Sequence, residues 1–236
     1  MNTLAKIYQD GTYASKNSAF GDDNADFKIA NTLRACEKFS LPHQKIAEVG
    51  CGAGAIIGGV ARALEATSAV GYEPMPEAYA VAETRTTGQV KFLNETIGPE
   101  SREDYDLVLC YDVFEHIEDY FSFLRNLRNL GRNFLFHIPL DMNAQMVARG
   151  KPIQRVRDEV GHIHYFSKDS AIASLKECGY EIGGHFYTFG ADGCYAGGLF
   201  YRLMKYPRKI GFALSPDLTA RTLGGYASMV WATPAK

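Results

Sequence analysis

The stretch Ile46-Ala47-Glu48-Val49-Gly50-Cys51-Gly52-Ala53-Gly54 constrains this chain more than any other, because an apolar strand carrying an acid runs straight into three glycines spaced two apart. Glycine has no Cβ to hold a ligand off the backbone and it tolerates positive φ, so the loop can turn sharply and present its N–H groups to a bound nucleotide. Ala53 to Leu64 reads as the helix that follows, with small residues near the turn. The unit is strand, turn, helix.

A second feature stands at the right distance. Val70-Gly71-Tyr72-Glu73-Pro74 has the form of a second strand, and Glu73 lies 23 residues beyond Gly50. In dinucleotide folds an acid about 20 residues past the first glycine accepts both hydroxyls of a ribose. A nicotinamide-dependent dehydrogenase pattern on Gly50, Gly52 and Ala55 competes with this reading. It fits less well, since Glu48 precedes the turn and Gly54 has the wrong spacing.

Strand-like segments at 45–49, 69–73, 90–93, 106–111 and 133–138 alternate with helix-like ones at 53–64, 75–85 and 119–130. Alternation of this kind predicts a parallel sheet, doubly wound, with helices on both faces. Upstream, residues 1–23 are polar, and Phe27, Ile29, Ala30, Leu33 and Phe39 recur at helical spacing over Ala25 to Phe39. We therefore expect an N-terminal arm and capping helix over 1–40 and the main domain over 41–236. Ser167 can cap a helix running through Cys178, and Tyr180 to Phe189 and Tyr226 to Thr233 are strand-like. An insert at about 190–225 precedes the last strand, with glycines bracketing Leu199-Phe200-Tyr201-Arg202-Leu203-Met204-Lys205-Tyr206. That aromatic and basic mixture invites a membrane or lid role, but a short amphipathic helix covering exposed sheet is the reading we favour.

Composition narrows the function classes. At 236 residues with 46% hydrophobic and 22% charged, the chain suits one decorated α/β domain. A net charge of −2 provides no electrostatic footprint for nucleic acid. Five cysteines with no Cys-x-x-Cys pair argue against a disulfide framework and a thiolate metal site, and suit a reducing cytoplasm. The first ten residues have no apolar core of signal length, and no window approaches the ~20 apolar residues of a spanning helix, so no membrane partner is expected.

Three blocks together resemble the class I S-adenosylmethionine-dependent methyltransferases that act on small molecules. Glu48 to Gly54 is similar to that family's first motif, Glu73 falls on its ribose-binding acid, and Tyr105 to Asp119, with Glu115-His116, is similar to its fourth-strand segment. Gly161-His162-Ile163-His164-Tyr165-Phe166-Ser167 more weakly resembles the approach to its last helix. The resemblance implies a seven-stranded, mostly parallel, Rossmann-like sheet in the methyltransferase order, its last two strands paired antiparallel. S-adenosylmethionine is the implied cofactor. The implied cofactor residues are Tyr13, Glu48, Gly50, Cys51, Gly52, Glu73, Met75, Asn94, Tyr111 and Asp112. Within that set Met75 would pack on the adenine, and Tyr8 and Tyr13 suit a lid, since aromatic faces favour the sulfonium. Cys51 is read as present for its small size, and Lys28, which could reach the methionine carboxylate, as a solvated lysine.

Methyl transfer is an in-line displacement in which positioning supplies much of the rate. A hydroxyl acceptor must also lose a proton, so a base in the pocket is a clue to acceptor class. His116 and His162 are the candidate catalytic residues; His137 can simply close its strand, and His164 can cap or pack. Asp112, Glu115, His116 and His162 are also similar to the magnesium-binding set of some O-methyltransferases, with Asp112 where those carry Glu. The favoured alternative keeps Asp112 in the cofactor pocket and turns Glu115 to solvent or a helix N-terminus. The expected activity is methylation of a small molecule, a sugar or secondary-metabolite hydroxyl. N-methylation of a small amine and a non-catalytic S-adenosylmethionine-binding module are the alternatives.

Overall fold

The computed structural model describes residues 20–189 and 199–235, with residues 199–202 described in backbone only. Its centre is a sheet of β1 (Lys45–Val49), β2 (Ser68–Tyr72), β3 (Val90–Leu93), β4 (Tyr105–Tyr111), β5 (Gly131–Pro139), β6 (Tyr180–Thr188) and β7 (Ala227–Pro234). The seven strands lie in the order β3-β2-β1-β4-β5-β7-β6. The first five run parallel, and β7 pairs antiparallel with both β5 and β6. Strand order therefore reverses between β1 and β4, and a crevice opens beyond their C-terminal ends, where ligands of open α/β sheets bind.

The central strands are buried on both faces, which explains their nearly continuous apolar runs. Ile46, Leu107, Leu109, Leu135 and Met229 face α1 (Ala25–Phe39) and α2 (Ala55–Ala63). Their neighbours Ala47, Val108, Cys110, Phe134 and Val230 face the other way, onto α4 (Tyr120–Leu127) and α7 (Lys168–Glu177). Between these lies α3 (Pro76–Glu83), with proline in its first turn where no N–H is needed. Ser167 caps α7 in a reciprocal capping box with Ser170. Helix α1 packs on α2 and β7, and its Ala35 and Cys36 join the main core.

Two helical pairs complete the molecule. Helices α5 (Ala144–Arg149) and α6 (Lys151–Val160) lie outside the strand-like and helix-like segments read from the sequence, and neither contains a buried residue. The insert is two helices, α8 (Leu199–Leu214) and α9 (Pro216–Leu223), with α9 packed against α5. This corrects the expectation of one short helix covering sheet. Phe212 and Ala220 pack inward on Tyr226, while Leu203, Tyr206, Ile210 and Leu214 are exposed. Among the described residues no helix is long and apolar enough to cross a membrane.

Candidate active site

The glycine turn closes the end of β1 as its sequence requires. Gly50, Gly52 and Gly54 all have positive φ, a conformation other residues rarely adopt. A Cβ on Gly52 would collide with the carbonyl of Phe20, which accepts the N–H of Ala53 at 3.2 Å. Helix α2 begins at Ala55, two residues later than expected, because Gly54 is still left-handed. Glu48 lies beneath the turn with its Oε2 accepting from Ile57 N at 3.0 Å. Burial pushes its carboxyl up to about 8 despite the opposing pull of Lys28. Burial also pushes the Cys51 thiol well up, which makes it unreactive and fits a residue present for its size.

Glu73, at the end of β2, is buried, and its two oxygens accept from Gly52 N at 2.8 Å and Met75 N at 2.9 Å. Burial raises its carboxyl while those amides pull the other way. Asn94 donates to the Glu73 carbonyl at 2.8 Å and does not line the cavity; Glu95, Thr96 and Ile97 beside it do. Tyr111 sits at the end of β4 and gives its hydroxyl proton to Thr32, since Thr32 already donates to the Lys28 carbonyl. Tyr8 and Tyr13 lie outside the described residues.

Asp112 is the hub of the crevice. It holds φ of 55°, and its Oδ2 meets Lys28 Nζ at 2.8 Å and its Oδ1 meets His137 Nδ1 at 2.6 Å. Burial opposes ionisation of Asp112, but Lys28 and His137 outweigh it and hold the carboxyl well below the usual range. For Lys28, burial pulls down and Asp112 more than compensates, so the ammonium is held charged. Lys28 is therefore a buried ion-pair partner and not a solvated lysine. His137 does more than close β5, for its Nε2 also reaches Thr188 Oγ1 at 2.9 Å.

Beside this hub, Glu115 is fully buried and does not face solvent as expected. Neither of its carboxyl oxygens has a hydrogen-bond partner among the described residues, and burial, then Asp112, pushes its pKa well above the usual value. Its backbone carbonyl accepts from Ile163 and His164 N, which ties the end of β4 to the segment before α7. That tie brings the rings of His116 and His162 to 4.8 Å, edge to face. His116 Nδ1 lies 3.1 Å from the Gly161 carbonyl, and burial, reinforced by His162, drops its pKa to about 4. His162 Nδ1 lies 2.6 Å from Asp141 Oδ2. With Asp141 as acceptor, Nδ1 carries the ring proton and Nε2 keeps the lone pair. His164 is elsewhere engaged, with Nε2 on the Ile117 carbonyl at 2.9 Å.

One cavity of about 1670 Å³ joins all of this. It is lined by Glu48, Gly50, Cys51, Gly52, Glu73, Met75, Tyr111, Asp112, His116 and His162, so the structure brings together every described candidate except Asn94. Its far wall is made of parts that sequence reasoning missed: Asp141, Thr188, Arg149 and Arg155 of the α5/α6 pair, and the buried Arg208 of α8. The available signals were Asp141 in the loop after β5, placed as Glu73 is after β2, and Ile153, Val156 and Val160 at helical spacing after Pro152.

A glycine turn at the switch point of a sheet in this order, followed by an acid at the end of β2, defines a nucleotide-cofactor enzyme of the class I methyltransferase architecture. Residues 47–133 match the family model described as a methyltransferase domain. That match covers 87 of the 236 residues, and the sheet in which it lies has the strand order described above. The chain's fold is that of a Thiobacillus denitrificans S-adenosylmethionine-dependent methyltransferase solved with S-adenosylhomocysteine (18% identity, 95% of this chain and 98% of that one, TM-score 0.59). It is also that of the Synechocystis magnesium protoporphyrin IX methyltransferase (16%, 100% and 89%, 0.56) and of a Bradyrhizobium japonicum N-methyltransferase (15%, 89% and 87%, 0.57). No curated protein matches the chain significantly. Neighbours of this fold were solved with S-adenosylmethionine or S-adenosylhomocysteine bound, which favours S-adenosylmethionine over the nicotinamide of the competing reading.

Proposed function

We propose that this enzyme methylates a hydroxyl of a small molecule, with His162 as general base and Asp141 as the residue that orients it. The single observation behind this is the 2.6 Å contact of Asp141 with His162 Nδ1, on the wall of the same cavity as the glycine turn. The residues present fit the cofactor: the turn lines the cavity at Gly50 and Gly52, Glu73 offers lone pairs to a ribose, and Met75 offers an apolar face to the base. When bound, S-adenosylmethionine supplies a methyl group on a positively charged sulfur. On this reading His162 Nε2 takes the acceptor's proton as oxygen bonds to carbon and the carbon–sulfur bond breaks. Asp141 stabilises the imidazolium that results. His116, kept neutral by burial, shapes the acceptor side of the site. The fold neighbours include a magnesium protoporphyrin IX methyltransferase and an N-methyltransferase, so the acceptor has to be argued from this pair and not from the fold. The four described cysteines are unpaired, which suits a reducing cytoplasm.

A second reading is favoured by Glu115. Its unpaired carboxyl and ring nitrogens of His116 and His162 all lie within 4.8 Å of one another, a donor set that would accept a divalent ion. Asp112 drops out of that set because Lys28 and His137 occupy it.

Turnover to S-adenosylhomocysteine in an acceptor screen, followed across pH for wild type, His162→Ala and Asp141→Asn, tests the base. The proposal expects kcat to fall by about 10²–10⁴ in His162→Ala, and by less in Asp141→Asn, with cofactor affinity kept. Retained kcat in His162→Ala would sink it. Loss of activity in a chelator, restored by added metal, would transfer the role to the Glu115 cluster.

A further inference from the structure

The large apolar side chains that this protein leaves in solvent are not scattered. Among the described residues nine are exposed, and eight of them lie in 142–160 or 203–218, the two helical pairs that meet where α9 packs on α5. At 3.6 residues per turn, Leu203, Tyr206, Ile210 and Leu214 share one face of α8; Lys209 borders it and the half-buried Lys205 lies further round toward the inner side. Their exposures run from 60 to 82%, far beyond an isolated surface leucine. Charge follows the same division. Segments 142–160 and 199–223 hold nine of the chain's 25 Lys and Arg but only three of its 27 Asp and Glu, a net charge of +6 in a chain of −2.

We propose that this face docks on an anionic lipid bilayer, with the α8 stripe in the boundary between headgroups and acyl chains and the basic residues against the lipid phosphates. A helix with an apolar stripe and a purely basic polar side lies in such an interface, held by apolar burial together with attraction to anionic lipid. Docking against a second copy of the chain fits less well, since a symmetric contact would bring two patches of the same positive charge together. The rest of the chain sums to −8, so the positive charge that would meet an anionic surface is concentrated in these two segments. The face borders the site, for Arg208 on the inner side of α8 and Arg149 and Arg155 of α5 and α6 line the cavity. Docking rests on the exposed face alone. That the acceptor is reached from the bilayer surface rests in addition on the methyl-transfer reading.

Sedimentation of the full chain with vesicles tests it. The protein should pellet with vesicles of phosphatidylcholine and phosphatidylglycerol, stay in solution with phosphatidylcholine alone, and be released by salt. Lys205→Gln with Lys209→Gln should lower the partition roughly 25-fold, at about fivefold per charge. Ile210→Asp with Leu214→Asp, both exposed in the wild type, should abolish it. Calorimetry of S-adenosylmethionine binding on the same samples should show no change, so that a failed cofactor reading and a failed docking are told apart. The proposal is overturned if wild type ignores the anionic vesicles, if it binds neutral ones equally, or if the Asp variant still pellets. It is equally overturned if that variant turns a dimer into a monomer while neither form binds vesicles, which would make the stripe a contact between copies.

Discussion

Each carboxyl oxygen of Glu73 already accepts a backbone N–H, from Gly52 and from Met75, and each keeps a lone pair for a ribose hydroxyl. Glu73→Ala should therefore weaken S-adenosylmethionine binding by about 1–3 kcal/mol, the worth of hydrogen bonds to a charged group. It should also loosen the turn, which calorimetry and amide exchange at Gly52 would both report. His116 carries the clearest pH signature. Its pKa falls from 6.5 unfolded to about 4 folded, so between those values the unfolded chain binds the extra proton. Its contribution to stability is complete above about pH 6.5 and is lost as pH falls toward 4, about 3 kcal/mol in all. Chemical denaturation from pH 7 to 4 should show that loss, and His116→Asn should flatten it. A variant with the same slope as wild type would place the proton elsewhere. At this scale the sequence announces Gly50, Gly52, Glu73 and the Glu115-His116 pair, whose local spacing is itself the signal. Lys28, His137 and Asp141 were illegible as partners, because each acquires its role from a residue between 21 and 84 positions away.

The elements that could be read were those whose local chemistry and tertiary burial agree. Strands 45–49 and 90–93 and helix Ala25–Phe39 fall where their periodicity puts them. Helices α5 and α6 announce themselves weakly, for they are short, mostly polar and bury no residue, so the spacing of Ile153, Val156 and Val160 in α6 is all that marks them. For the insert, Pro207 punctuates the sequence, yet α8 runs through it to Leu214. A proline in a helix interior costs a hydrogen bond but does not forbid a kinked or tilted continuation. The glycine turn carries its own test. Gly52→Val puts a branched side chain where the Phe20 carbonyl sits and where φ is positive. We expect a folded domain that no longer binds cofactor and whose chain near Phe20 is cut faster by protease. Unchanged proteolysis with lost binding would mean that only the ligand's space was filled, and full binding would overturn the assignment of the turn.

At the scale of the whole molecule, the class of fold follows from alternation of strands and helices, whereas the acceptor site does not. It is walled by α5, α6 and α8, the parts least constrained by any repeating pattern. The sheet order has a mechanical corollary. Among the described residues strand β6 pairs only with β7, and β7 also joins it to β5, with Trp231 stacked on Phe39 of α1 at 5.2 Å. A chain ending at Gly225 should thus lose two strands for one deletion. Hydrogen exchange should show the Tyr180–Thr188 amides as unprotected as those of an open loop, with the β5 edge bare and prone to aggregate. Protection of those amides in the truncated chain would show that β6 can find β5 unaided. The same arrangement sets a clock on biosynthesis. The strand that locks the sheet follows β6 only after the whole of the α8/α9 insert. Half of the antiparallel edge must therefore wait, unpaired, while the ribosome makes that insert.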